Sequence, residues 1–181
     1  MKINETEIEV VRGGVLESDA QAIVNAANTA MRGGGGVDGA IHDAAGKELM
    51  AELMEVAPHG AETSVPVLTR GHNLKQEYVI HVAGPVWSEA RAGECEKLLH
   101  SCYRGALEMA DEKELASLAF CSISTGIYGY PLALAAPVAV KTIVEYLWEH
   151  PQTGLRRVLF AMFGKEEYEV FCSALKKSQL S

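Results

Sequence analysis

Asp38 and His42 stand four residues apart in "NTAMRGGGGVDGAIHDAAG", residues 28–46, directly after a run of four glycines, Gly33 to Gly36. That spacing puts a carboxylate and an imidazole on one face of a helix, within reach of each other. Such a pair can orient or deprotonate a water if a substrate is held beside it. Taken singly, Asp38 reads as a helix-dipole residue and His42 as a satisfied helix histidine. Placed together beside Asn28 and a seat for an anion, they form a candidate catalytic group on a face that looks into a cleft; Asn25 ends the same strand. His81, within "YVIHVAG", has no such company and reads as structural.

Each glycine costs conformational entropy on folding, so four in a row need a physical reason. The run follows the strand "AIVNAA", residues 22–27, and precedes a helix. It therefore lies where open α/β sheets bind ligands, at the carboxyl end of a strand. The helix start adds unpaired N–H groups and a partial positive charge. Bare backbone at Gly34, Gly35 and Gly36 lets phosphate oxygens approach the main chain. The spacing is neither of the common nucleotide-loop patterns, G-x-x-x-x-G-K-[ST] or G-x-G-x-x-G. A second stretch, "SISTGIYGYP" at 122–131, repeats the arrangement after "LAFCS". Two such cradles suit a diphosphate.

The elements that position these loops are short apolar runs: "IEVV" (8–11), "AIVNAA" (22–27), "SVPVLTR" (64–70), "YVIHVAG" (78–84), "LAFCSIS" (118–124) and "RVLFAMF" (157–163). Several are apolar on both faces, as covered interior strands are. Helical periodicity links Cys95, Leu98, Leu99, Cys102, Ala106 and Met109, and again Tyr168, Phe171, Cys172 and Leu175, so Cys102 and Cys172 read as core fillers. A further helix runs from Pro131 to Trp148, with Pro137 expected to kink it or shift its start. Strands alternating with helices imply an α/β fold, a three-layer α/β/α sandwich with a mostly parallel sheet. The 181 residues are expected to form one domain.

Composition excludes several classes. A formal charge of −8 argues against a nucleic acid duplex as partner, because neutralising phosphates needs clustered Lys and Arg. Four cysteines without zinc spacing, and an N-terminus without a signal pattern, lead us to expect a reduced, cytoplasmic protein with no metal and no cofactor. The apolar stretch 131–140 is about half what a membrane span needs, so no membrane is expected as partner.

The segments "AIVNAANTAMRGGGGVDGAIHDAAG", "YVIHVAGPVW" and "ISTGIYGYP" closely resemble the macrodomain family, in particular its MacroD-type hydrolase branch, over about Val10 to Phe171. The resemblance implies a mixed six-stranded sheet and a cleft for ADP-ribose. The backbone at Gly34, Gly35, Gly36 and Val37, and at Ser124, Thr125, Gly126, Ile127 and Tyr128, would wrap the diphosphate and distal ribose. Asn28 would hydrogen-bond that ribose. In MacroD-type members the Asp of G-V-D-G and the His four residues later lie near the distal ribose; here they are Asp38 and His42. Such enzymes remove ADP-ribose from acidic side chains of mono-ADP-ribosylated protein and deacetylate O-acetyl-ADP-ribose. On this reading Asp38 orients a water with the bound phosphate, and His42 supports Asp38 or the ribose hydroxyls. A non-catalytic ADP-ribose reader is the alternative.

One departure stands out. Family members begin the first loop with G-D-I, whose Asp reads the adenine amino group; here Gly14 and Val15 take the Asp and Ile places in "VVRGGVLESDAQAIVN". Gly14 has no side chain to read a base, which leaves another nucleotide as a third reading. Arg12 is either solvated or reaches the base or a phosphate. Phe163 either stacks on the base or fills the core.

Overall fold

The computed structural model describes residues 1–181. Seven strands form one sheet: β1 (Lys2–Ile3), β2 (Thr6–Arg12), β3 (Ala22–Ala27), β4 (Val67–Arg70), β5 (Tyr78–Ala83), β6 (Ser117–Phe120) and β7 (Arg157–Met162). Their order is β1-β2-β7-β6-β3-β5-β4, parallel from β2 to β5 and antiparallel only at the two edges. Six strands were expected; the seventh is β1, two residues long and too short to show any periodicity in sequence.

Five α-helices connect or follow the strands: α1 (Gly36–Ala45), α2 (Lys47–Val56), α3 (Ala92–Glu112), α4 (Leu132–Glu149) and α5 (Lys165–Gln179). Every residue of β7 after Arg157 and of β5 after Tyr78 is buried. Helices therefore cover both faces, as the apolar runs required. Pro131 caps α4 rather than entering it, its carbonyl accepting from Leu134 and Ala135. The helix runs on through Pro137 without ending. No helix is long and apolar enough to cross a membrane.

An aromatic ladder ties the layers together. Tyr103 of α3 lies 5.0 Å from Phe120 of β6, and Phe160 of β7 lies 5.1 Å from Phe171 of α5, ring centre to ring centre. Each such pair adds about 0.5–1.5 kcal/mol beyond its area burial. Cys102 is fully buried on α3, Cys172 half-buried on α5, and all four cysteines are free thiols. Because β2, β3, β6 and β7 run parallel in register, with Val24 opposite Phe120, Phe120 opposite Phe160 and Arg12 opposite Met162, the loops that follow them leave from one edge of the sheet.

Candidate functional site

At that edge the loops after β2, β3, β6 and β7 enclose a cleft of about 640 Å³, a size that suits a nucleotide-sized ligand. The glycine run forms one wall. Gly33 (φ +83°) and Gly36 (φ +59°) adopt the left-handed conformation that side chains resist. A Cβ on Gly34 would sit 3.3 Å from Asp38 Oδ2 and 3.4 Å from Asn28 Nδ2, whereas one on Gly35 would meet nothing. Gly39 matters as much, since its Cβ would press to 2.7 Å of the Gly34 carbonyl. Asn28 fastens the loop by donating to Gly33 O (2.9 Å) and accepting from Met31 N (3.1 Å).

The opposite wall is Ser122 to Tyr128. Ser124 is held at φ +68° by its hydroxyl, which donates to Pro85 O at 2.7 Å. The turn closes through Gly129 N to Gly126 O (3.0 Å) and Tyr130 N to Ser124 O (2.9 Å). Trp87 packs 4.5 Å from Tyr130 behind it and donates to Tyr128 O.

Within these walls the main-chain N–H groups of Gly34 to Asp38, and those of Ser124 to Tyr128, donate to no acceptor in the protein. Both runs line the cleft. Gly34, Gly35, Gly36, Gly126 and Ile127 are exposed, so these amides are open to solvent and to a ligand, and those at the start of α1 have no intrahelical acceptor. No Lys, Arg or His lines the cleft; its charged residues are Glu17, Asp38 and Glu167. An anion bound here is held by neutral amides and the start of α1, not by cations.

Asp38 sits in the first turn of α1 with its side chain 6% exposed. Oδ1 points inward, where it accepts from Asn25 Nδ2 at 2.8 Å. Oδ2 is the oxygen turned to Gly34. His42 does not share the cleft wall, contrary to the expectation that the Asp38 face looks into the cleft as a whole. Helix α1 runs away from the cleft, so a residue one turn on lies about 5 Å deeper. His42 Nε2 approaches Asp38 Oδ1 to 3.4 Å, within ion-pair range but too poorly aligned to be a hydrogen bond, and is buried without a partner.

Val15 is buried at the start of a short 3-10 turn, Val15–Glu17, which lines the cleft beside Gly14. Phe163 lines the cleft too and is 75% exposed, which rules out the core-filling alternative for it. Ile127 is 92% exposed at the rim. Arg12 stays outside, its guanidinium 5.8 Å over the Tyr168 ring. Cys121 forms part of the floor, and burial pushes its thiol up to about 12, so it is no nucleophile. No group of three His, Cys, Asp or Glu side chains is placed to hold a metal ion. Sequence reasoning passed over Glu17 and Glu167, which look like ordinary surface acids, and the pairing of Asn25 with His81, whose only signal was polarity inside apolar strands.

The family model "Macro domain" matches residues 24–139. A macro domain-containing protein of Listeria monocytogenes is 42% identical over 91% of this chain and 94% of its own. Among solved structures, the Oceanobacillus iheyensis macrodomain with ADP superposes with a TM-score of 0.91 at 39% identity, covering 99% of this chain and 95% of that one. The Trypanosoma brucei macrodomain in complex with ADP-ribose gives 0.85 at 40% identity over 93% of this chain and 68% of that one. With a family model over more than half its length, a relative 42% identical across 91% of it and a matching solved fold, the chain belongs to the macrodomain family.

Proposed function

We propose that this protein binds ADP-ribose in the cleft and hydrolyses ADP-ribosyl esters, both on acidic side chains of mono-ADP-ribosylated protein and in O-acetyl-ADP-ribose. The observation that carries the reading is the pair of facing amide runs, Gly34 to Asp38 and Ser124 to Tyr128, with a nearly buried carboxylate at the end of one of them. The diphosphate takes the amides. Asn28 has one amide hydrogen and spare lone-pair capacity for a distal ribose hydroxyl. The exposed Phe163 ring offers a stacking face for the base.

Ester hydrolysis needs a water placed against the acyl carbon. Asp38 Oδ2 and a phosphate oxygen hold that water, its oxygen bonds to the acyl carbon, and the acyl–oxygen bond to the ribose breaks. One water proton passes to the departing ribose oxygen and the other is released to solvent, giving ADP-ribose and the free carboxylate. Because Oδ1 is already occupied by Asn25, Oδ2 is the acceptor left for water. His42 acts on Asp38 from behind; its place off the cleft wall favours that role over contact with ribose hydroxyls.

The test is release of ADP-ribose from a glutamate-modified protein. Wild type should turn over, and Asp38→Ala should lose about 100-fold or more while keeping ADP-ribose affinity within a few fold. A wild type that binds the modification and leaves it uncut would make the protein a reader. Unchanged hydrolysis in Asp38→Ala would remove Asp38 from the mechanism.

A further inference from the structure

Beneath the cleft, three polar side chains on neighbouring strands meet inside the sheet: Asn25 of β3, Thr69 of β4 and His81 of β5, all buried to within 1%. Polar groups at that depth are costly unless they satisfy one another. All but Asn25 Oδ1, which has no partner in the protein, do so in a line that ends on Asp38. Thr69 Oγ1 lies 2.9 Å from His81 Nε2, His81 Nδ1 lies 3.0 Å from Asn25 Nδ2, and Asn25 Nδ2 lies 2.8 Å from Asp38 Oδ1. The β3–β5 register puts Asn25 directly opposite His81.

Counting hydrogens fixes the chain's direction. An amide nitrogen has two hydrogens and no lone pair to offer. One hydrogen goes to Asp38 Oδ1 and the other to His81 Nδ1, so Nδ1 carries the lone pair and the ring proton sits on Nε2, donating to Thr69. Turning the Asn25 amide over would set Oδ1 against the Asp38 carboxylate oxygen with no hydrogen between them, which fixes its orientation. Burial, with the nearby His42 ring (centroid 6.3 Å away) as the second cause, depresses His81 to about 3. The neutral ring therefore persists at every pH at which the protein would work.

We propose that Thr69, His81 and Asn25 are positioning residues for Asp38: the Asn25 amide, donating to both Asp38 Oδ1 and His81 Nδ1, sets the imidazole tautomer, Thr69 accepts the Nε2 hydrogen and holds the ring in place, and the ring so held keeps the amide on Oδ1 so that Oδ2 faces the glycine loop. Without that hold the carboxylate is free to turn toward His42, 3.4 Å away. The kinetic consequence rests on the hydrolase reading; the tautomer does not.

Two measurements test it. Nitrogen-15 spectra of the wild-type imidazoles at neutral pH should show His81 as the neutral Nε2–H tautomer, and an Nδ1–H tautomer or a cation would overturn the proposal. Thr69→Val removes the acceptor at nearly constant shape, and Thr69→Ser keeps it. Thr69→Val should cut kcat for ADP-ribose release about tenfold with KM within twofold, while Thr69→Ser keeps the wild-type rate. Equal losses in both variants, tracking their melting temperatures, would make Thr69 a packing residue and overturn the proposal. A wild type that releases no ADP-ribose would sink the hydrolase reading instead, with the tautomer still deciding this one.

Discussion

Replacing Gly14 with Asp should strengthen ADP-ribose binding. A Cβ at Gly14 meets nothing within 4 Å, and its φ of −80° is ordinary for any residue. The substitution therefore carries no steric cost, and it stabilises the free protein by about 0.4–1 kcal/mol through the unfolded chain. A carboxylate at this point of the cleft gains a charge-assisted hydrogen bond from the adenine amino group, worth about 1.5–3 kcal/mol, or roughly tenfold to over a hundredfold in affinity. Glu17 and Glu167 work against it, since both already line the cleft. In water such repulsion is about 1 kcal/mol for one pair of charges 4 Å apart and is screened by salt, so set against one such pair the lower end of the range still leaves about 0.5 kcal/mol, about twofold in affinity, and the gain rises with ionic strength. Calorimetry should compare ADP-ribose with inosine diphosphate ribose, which presents a carbonyl where adenine has its amino group. The gain must be confined to the adenine ligand. Affinity that stays unchanged or falls for ADP-ribose in high salt would refute the placement of the base beside Gly14.

Other consequences are as direct. Gly39→Ala should weaken ADP-ribose binding about tenfold, because its Cβ presses on the Gly34 carbonyl and overpacking of this kind costs about 1–3 kcal/mol; calorimetry showing full affinity would mean that the glycine loop yields freely. ADP-ribose affinity should not fall between about 50 mM and about 500 mM salt, since no cation lines the cleft and the protein carries −8; a steep loss in titrations would reveal a cationic contact. His81 bears on acid stability. With its folded pKa depressed to about 3 against 6.5 unfolded, the unfolded chain binds the extra proton between those values, so His81 favours folding above about pH 6.5 and that contribution is lost as pH falls toward 3. Urea unfolding of wild type and His81→Gln should differ in slope by about 1.4 kcal/mol per pH unit between about pH 6 and pH 4. Parallel curves would contradict the depressed value.

The strands were legible because interior parallel strands must be apolar on both faces. The run at 22–27 coincides with β3, those at 64–70, 78–84 and 157–163 each contain a strand, the run at 8–11 lies inside β2, and that at 118–124 overlaps β6. Where ends differ, a local cause is visible. The strand begun at Ser64 starts only at Val67, since Pro66 has no N–H to give. The run expected to reach Ser124 stops at Phe120, because Ser124 turns left-handed. Helix α2 was not anticipated; Gly46, at φ +89°, breaks what would otherwise read as one continuous helix. In the site, the loops announced themselves through composition. The depth of His42 and the line from Thr69 to Asp38 depend on helix direction and strand register, which local spacing does not encode.

The central claim is that main-chain amides hold the diphosphate. The most direct test follows the amide resonances of the nitrogen-15-labelled protein as ADP-ribose is added. Gly34 to Asp38 and Ser124 to Tyr128 should shift together, and their hydrogens should become protected from exchange with solvent. Binding that leaves both runs unshifted, with the changes elsewhere on the surface, would contradict the account.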